Sequence, residues 1–547
     1  MRKRLAVKLW RWCSWVAGML WFGGILPSAR GAELERKYQY QDSLSFQSRD
    51  GTWLSALLLH PELATESERL PAVVFVTSWA MDKHEYLLPA AQLAGQGYIV
   101  LSYTARGFWT SGGEASLGGP EEVEDLSAAI DWLEANTAVD SANIGATGLC
   151  YGAGIVLLAA AREPRLKTVA AFSGWTDLVE GLYNGQTPTF LWGTMLMVFG
   201  KLMARIQPDV TEHYQDMFQG KDIEAIVSWA WDHSPAKYLG DLNQRKIPIY
   251  LSQNFEDSLF WSNTFLDFFA ALEVPKRLDL NQAAHASQEV VGLLGLPTST
   301  WENALEWYDH WLKGADNGVM ARPAVTLQVK RSTERVGLAR WPSDQIDIQP
   351  LFLDASDRSS QARLSSAPPE APGQTRFLSS LDSGAFAGSA LLFPVAETHL
   401  GVPVTAWLPA IQRSFGAVFQ GPPIPEQSRI CGPARVTLRA SSSTDRALLV
   451  AYLYDVNPRG VGILISHGKV TLRGLSPGRV TTASIEMMAD VYDVPQGHSL
   501  ALVVDAFDAL YLAPTLKPYA ITLHSDKAFP SLLELPVLAS AGRSFRS

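Results

Sequence analysis

The stretch GATGLCYGAG, residues 145–154, decides how this chain is read. Before its tip, NIGATGL (143–149) has the texture of a buried strand. After it, YGAGIVLLAAA (151–161) has that of a helix. A sharp strand-to-helix turn crowds the residues on either side of its tip, so glycine is wanted two places before and two places after. Gly148 and Gly152 occupy those places, and Gly154 gives the new helix room against the sheet. The tip is Cys150, where such an elbow would present a nucleophile. A buried structural cysteine is the other reading, since free cysteines usually sit in cores. The strand–glycine–helix context favours the elbow.

A thiol suits that place. A helix N-terminus and a neighbouring imidazole both stabilise thiolate, and Cys–His pairs are established nucleophile–base systems. In this type of site the chain order is nucleophile, acid, base, so the partners should lie downstream at strand ends. PIYLSQNFEDSLF (248–260) is a strand followed by Glu256 and Asp257. We expect Asp257 to be the acid, with Glu256 as the alternative; either carboxylate would otherwise cap the helix that follows. Of the ten histidines, only His285, in PKRLDLNQAAHASQE (275–289), combines the right order, a post-strand loop and small neighbours. His310 lies on a late helix and reads as packing or surface, while His213 and His233 lie where a pocket lining is conceivable. The oxyanion that forms during acyl transfer needs two donors. The backbone N–H of Tyr151, next after Cys150, is one; the N–H of Trp79, in the loop after AVVFV (72–76), is the other.

Outward from the elbow, strand and helix textures alternate. DSLSFQS and TWLSALLLHP flank Asp50-Gly51 as a hairpin. LPAVVFVTSW, YIVLSYTARG, ANIGATGLC, KTVAAFSGW and KIPIYLSQN read as strands buried on both faces. EYLLPAAQLAGQG, PEEVEDLSAAIDWLEANT, YGAGIVLLAAAREP and WENALEWYDHWLKGAD read as helices. This predicts a mostly parallel sheet covered on both faces. About 70 residues between SGWTDL and KIPIYLSQN break the rhythm, more than a normal connection. From Gly181 to Gly240 they are rich in Trp, Met and Phe. We read them as a helical cap, with Phe190–Met203 as a lipid-contacting helix in the alternative. After Arg322 helical periods vanish and short strands such as ALLVAYLYDV and HSLALVVDA appear, as in an all-β sandwich. Ser356–Thr375 is polar and Pro-rich and reads as a long surface loop. The expected division is a signal peptide at 1–31, an α/β domain at 33–320 with a cap at about 181–240, and a β-sandwich at 321–547.

The chain has 547 residues, 47% hydrophobic and 18% charged, which is too long for one core and apolar enough for most of it to fold. A net charge of −10 argues against non-specific nucleic-acid binding. The N-terminus is basic (MRKRLAVKLWRW), then apolar (CSWVAGMLWFGGIL), then offers small residues at Ala29 and Gly31. This reads as a secretory signal peptide, or alternatively an uncleaved signal anchor. It implies a secreted or periplasmic protein without stable membrane insertion after processing. Cleavage would remove Cys13 and leave Cys150 and Cys431, too few and too distant for a disulfide scaffold. No metal-ligand spacing and no phosphate-cradling loop is evident, so no cofactor is expected.

Together PAVVFVTSWAMDKHEY, YTARGFWTSGG, the elbow, SQNFEDSLF, PKRLDLNQAAHA and the late strands AYLYDVNPRG and YDVPQGHSLAL resemble the cocaine-esterase and X-prolyl dipeptidyl-peptidase-like (CocE/NonD) hydrolases. The resemblance spans nearly the whole mature chain. It implies an α/β-hydrolase domain with a helical cap, a jelly-roll-like sandwich beside it, and cleavage of esters or amides in a small-molecule or peptide acyl substrate. Carried over, the triad falls on Cys150, Asp257 and His285. Two departures stand out: cysteine replaces serine, and Trp79 holds a place where some members offer a tyrosine hydroxyl to the oxyanion. Arg106 reads as a brace in this family. Dienelactone hydrolase is similar in carrying a Cys-Asp-His triad on this fold. The expected activity is therefore a Cys-His-Asp acyl hydrolase. An acyltransferase with the same thioester intermediate and a non-catalytic binding protein are the alternatives.

Overall fold

The computed structural model describes residues 36–355, 362–388, 397, 400–511, 515 and 517–539. The expected signal peptide at 1–31 lies outside them. A hairpin opens the described chain, with β1 (Tyr38–Gln47) and β2 (Trp53–Pro61) antiparallel around Gly51, whose φ is 87°. Strict alternation follows: β3 (Leu70–Val76), α1 (Leu87–Gly95), β4 (Ile99–Tyr103), α2 (Pro120–Asn136), β5 (Val139–Leu149), α3 (Tyr151–Arg162) and β6 (Leu166–Phe172). The insertion comes next, as α4 (Leu178–Tyr183), α5 (Phe190–Met203), α6 (Pro208–Gln219), α7 (Ile223–Asp232) and α8 (Leu239–Arg245). Alternation then resumes with β7 (Ile249–Asn254), α9 (Ser262–Ala271), β8 (Lys276–Asn281), α10 (Ser287–Leu293) and α11 (Ser299–Lys313).

The strands pair in the order β1-β2-β4-β3-β5-β6-β7-β8, extended by β9 (Val325–Gln328) and β10 (Arg335–Leu338). From β4 to β9 every pair is parallel. The chain moves outward in opposite directions from β3, to β4 on one side and β5 on the other. That reversal opens a crevice at the strand C-termini, and the elbow sits at the end of β5. The change of texture at Arg322 marks the end of the helices, not of this sheet: β9 lies parallel to β8. A short apolar run carries no mark of which sheet it will join.

The insertion runs between β6 and β7, which are neighbours in the sheet. α5 turns Trp192, Gly193, Met197 and Gly200 inward and leaves Phe190, Val198, Phe199 and Leu202 exposed. Among the described residues no helix is long and apolar enough to cross a membrane.

The second half is an almost wholly antiparallel β-sandwich from Ile346–Asp354 to Leu532–Leu538. Its own core includes Val436, Leu438, Leu453, Leu502 and Leu533. The stretch expected as a loop at 356–375 differs where it is described: Arg363–Ser365 and Gly373–Leu378 are strands. The second pairs with Ala520–Ser525, a partner distant in sequence, so local composition did not mark it. A single apolar cluster runs through both halves, joining Leu259 and Phe260 to Tyr452, Tyr454 and Leu510. Hydrogen bonds cross with it: Asn263 Nδ2 donates to Met487 O (2.9 Å) and Gln282 Nε2 to Asp490 Oδ1 (2.7 Å).

Candidate active site

Cys150 closes β5 and immediately precedes α3, with φ 54° and ψ −112°. A non-glycine residue in such a conformation costs of order 1–3 kcal/mol and persists only where its surroundings enforce it. The glycines are part of that enforcement. A Cβ on Gly148 would lie 2.2 Å from the Gly152 carbonyl carbon, and one on Gly152 would lie 2.0 Å from Val76 O. One on Gly154 would strike Trp175 at 2.3 Å. Hydrogen bonds complete the clamp: Cys150 N donates to Phe172 O (2.9 Å), and Leu149 N donates to the Tyr86 hydroxyl (2.9 Å). That hydroxyl in turn donates to Val76 O (3.0 Å), tying the end of β3 to the elbow.

The loops after β7 and β8 bring Asp257 and His285 to the same point. His285 Nε2 lies 3.1 Å from Cys150 Sγ, and its Nδ1 lies 2.7 Å from Asp257 Oδ2. Asp257 is fully buried, and its two oxygens divide the work. Oδ1 accepts from Leu259 N (2.9 Å) and Phe260 N (3.0 Å), leaving Oδ2 to the imidazole. The helix-capping alternative weighed for this carboxylate is not what it does: Oδ1 closes the loop before α9, whose N-cap, Trp261, receives no side-chain hydrogen bond. Glu256 turns away and pairs with Lys330 at 2.6 Å. Trp192 and Phe260 roof His285, with ring centroids at 5.4 and 5.7 Å. Burial opposes the His285 cation, but Asp257 and the Cys150 sulfur outweigh it and hold the ring well above its ordinary value.

Trp79 and Tyr151 pack their rings edge-to-face at 5.1 Å. Among the described residues neither backbone N–H donates to a protein acceptor. The Trp79 loop is fastened through Ser78: its N–H donates to Glu85 Oε2 (2.7 Å), and its Oγ lies 2.5 Å from Glu85 Oε1 and 2.9 Å from Leu149 O. Burial pushes Glu85 up to about 7. The Tyr151 hydroxyl donates to the buried Glu122, itself pushed up to about 7 by burial. Beneath the triad, Asn254 Nδ2 donates to the buried Glu289 (2.9 Å).

The remaining expected residues fall apart from this centre. Arg106 is buried against Asp125, to which its Nε donates at 2.7 Å, and against Asp50 at 3.0 Å, as a brace should be. His233 donates to Trp229 O (2.7 Å), and His310 to Ala315 O (2.9 Å). His213 does reach a pocket wall, its ring 4.9 Å from Trp229. Sequence reasoning missed Glu85, Tyr86, Glu122 and Glu289, which position the site without entering it.

A pocket of ≈ 1060 Å³, open mouth included, leads from Cys150 under the cap. Trp79, Tyr151 and Trp175 wall it from the α/β core, and Leu182, Met197, Met217, Ile226 and Trp229 from the cap.

Known proteins match this arrangement. Residues 50–287 match the family of X-Pro dipeptidyl-peptidases (S15 family). Residues 317–534 match the X-Pro dipeptidyl-peptidase C-terminal non-catalytic domain. A putative Xaa-Pro dipeptidyl-peptidase of Bacillus cereus is 22% identical over 486 residues, covering 81% of this chain and 76% of that protein. A polyketide transferase of Penicillium sp is 30% identical over 129 residues, 23% of this chain and 44% of that protein. The solved structure of a CocE/NonD family hydrolase from Staphylococcus aureus superposes with a TM-score of 0.72 at 15% identity, covering 95% of this chain and 99% of that one. With both of the family's domains matched in order on one chain, the protein belongs to the X-Pro dipeptidyl-peptidase (S15) family of α/β-hydrolase-fold peptidases and esterases.

Proposed function

We propose that the protein cleaves an ester, thioester or amide through an acyl thioester on Cys150. The observation that carries this is the relay Cys150 Sγ–His285 Nε2 (3.1 Å) and His285 Nδ1–Asp257 Oδ2 (2.7 Å) on a strained elbow. His285 takes the thiol proton, and the sulfur attacks the substrate carbonyl carbon. The N–H groups of Trp79 and Tyr151 receive the oxyanion. As the intermediate collapses, His285 returns the proton to the departing alcohol, thiol or amine. Water, deprotonated by the same imidazole, then attacks the thioester, releases the acid and restores the thiol. Asp257 keeps Nδ1 protonated and stabilises the cation formed at each step. The basic and apolar start of the chain supports export, so we place this activity in the periplasm or outside the cell; cell fractionation of the full chain tests that placement.

A second reading replaces water by an amine, thiol or alcohol. The apolar walls around Cys150 favour it, because they exclude water from a thioester that amines and thiols attack readily. Its similarity to a polyketide transferase points the same way. The intact relay disfavours a non-catalytic scaffold.

Intact-protein mass spectrometry after brief mixing with activated acyl esters tests the proposal. One acyl group should add to the protein and not to Cys150→Ala. Decay of the adduct in water alone identifies a hydrolase, and decay that depends on added acceptor identifies a transferase. No adduct and no turnover across varied esters would sink both readings.

A further inference from the structure

We propose that the acyl group carried by Cys150 is a long, uncharged, mainly hydrocarbon chain, and that substrates with a free α-amino group are poorly accepted. This rests on the reading of Cys150 as the acylated residue. None of the residues that wall the pocket is Asp, Glu, Lys or Arg. Recognition of an ammonium beside the scissile carbonyl needs a carboxylate within reach, because a desolvated cation without a partner is strongly disfavoured. The nearby carboxylates are engaged elsewhere: Asp257 with His285, Glu256 with Lys330, and Glu122 with Tyr151. The wall instead offers leucine, methionine, isoleucine and tryptophan from four consecutive cap helices, α4 to α7.

The pocket also lies on the acyl side of the reacting bond. Cys150, Tyr151 and Trp79, the residues that carry the attacking atom and the two proposed oxyanion donors, belong to its wall. His285, which must meet the leaving group, is not among the lining residues, although Phe260, which packs against its ring, is. A carbonyl held between the donors and the sulfur therefore has its acyl substituent in the pocket and its leaving group toward the imidazole.

The test uses the full chain and three substrate series. Linear acyl esters of one activated phenol run from acetyl to dodecanoyl. Acetate esters carry alcohols of growing length. Alanyl-prolyl arylamide and aminoacyl esters supply the α-amino group. In the first series kcat/KM should rise about fourfold per added methylene until the pocket is filled. The second should be nearly flat, and the third at least about a hundredfold slower than neutral acyl esters of matched size. Val179, half-buried in the wall, supplies the control: Val179→Glu should lower the ratio of dodecanoyl to acetyl kcat/KM at least about tenfold. Best turnover on an α-amino substrate, or a length dependence that follows the alcohol, overturns the inference. An acetyl adduct on Cys150 with no gain from chain length sinks this inference alone, whereas no adduct from any series sinks the thiol reading as well.

Discussion

At the scale of single residues, the triad couples a thiol to a histidine whose charge is set by its neighbours. Burial disfavours the His285 cation, yet Asp257 and the sulfur raise the ring well above 6.5. The pairing therefore adds stability that is complete below about 6.5 and fades as pH rises through the raised value. The proton that His285 must return to the leaving group is accordingly held to higher pH than on a free imidazole, and acylation should fall on the alkaline side as it is lost. Asp257→Asn removes the larger of the two raising charges and leaves the wrong ring nitrogen protonated. We expect kcat to fall on the order of 10³–10⁴-fold, with the alkaline limb displaced to lower pH. Stopped-flow acylation across a pH series checks both; an unmoved alkaline limb would remove Asp257 from the relay.

At the scale of elements, the loop between β4 and α2 is held to α2 and to the β1–β2 turn by Arg106, whose partner Asp125 is 1% exposed. Removing one member of a buried pair strands the other charge. Arg106→Gln should cost about 3–5 kcal/mol. Adding Asp125→Asn should restore part of that loss, and denaturant unfolding of the single and double variants reads the difference. Elements were also where the sequence was most legible. The strands flanking the elbow are buried on both faces, so each reads as an unbroken apolar run, and the glycines at 148, 152 and 154 have a steric reason visible without coordinates. The positioning residues were not legible for a physical reason. Glu122 sits in the acidic first turn of α2, where carboxylates ordinarily face water and complement the helix dipole. Glu85, just before α1, gives no sign in sequence that it will fold under Ser78. Burial of a charged residue depends on which neighbours arrive from elsewhere, and local pattern does not carry that. The same limit hid β9, whose apolar residues suit either sheet.

At the scale of the whole molecule, the two domains meet around a buried cation. Lys330, in the turn after β9, lies 2.6 Å from Glu256, 3.4 Å from Asp490 and 3.8 Å from Glu397. Burial opposes its charge, but these carboxylates hold it well above its ordinary value. Lys330 alone does not neutralise the half-buried Glu256 together with the buried Asp490 and Glu397. Burial accordingly pushes Asp490 up to about 6 and Glu397 up to about 7, against the pull of Lys330. A raised carboxyl keeps a proton in the folded state that the unfolded chain has already lost. Stability from these groups therefore falls as pH rises from about 4 to about 7. Asp490→Asn removes one of them, so its stability relative to the unmodified protein should improve from about pH 4 to about 6 and then level off. Thermal melts at matched pH values read the change, and a pH-independent difference would show that Asp490 stays charged throughout.

The cap enters and leaves the fold at two adjacent strands, Phe172 pairing with Ser252 where β6 meets β7. The sheet is closed whether that insertion is long or short. Cys150, Asp257 and His285 all come from chain outside it, whereas most of the pocket wall comes from within it. On the proposed function, reactivity and selectivity would thus be encoded in separable segments of one gene. Exchanging residues 178–245 for the equivalent segment of a relative should transplant a substrate preference while leaving the means of bond cleavage in place, and selection is free to act on either alone.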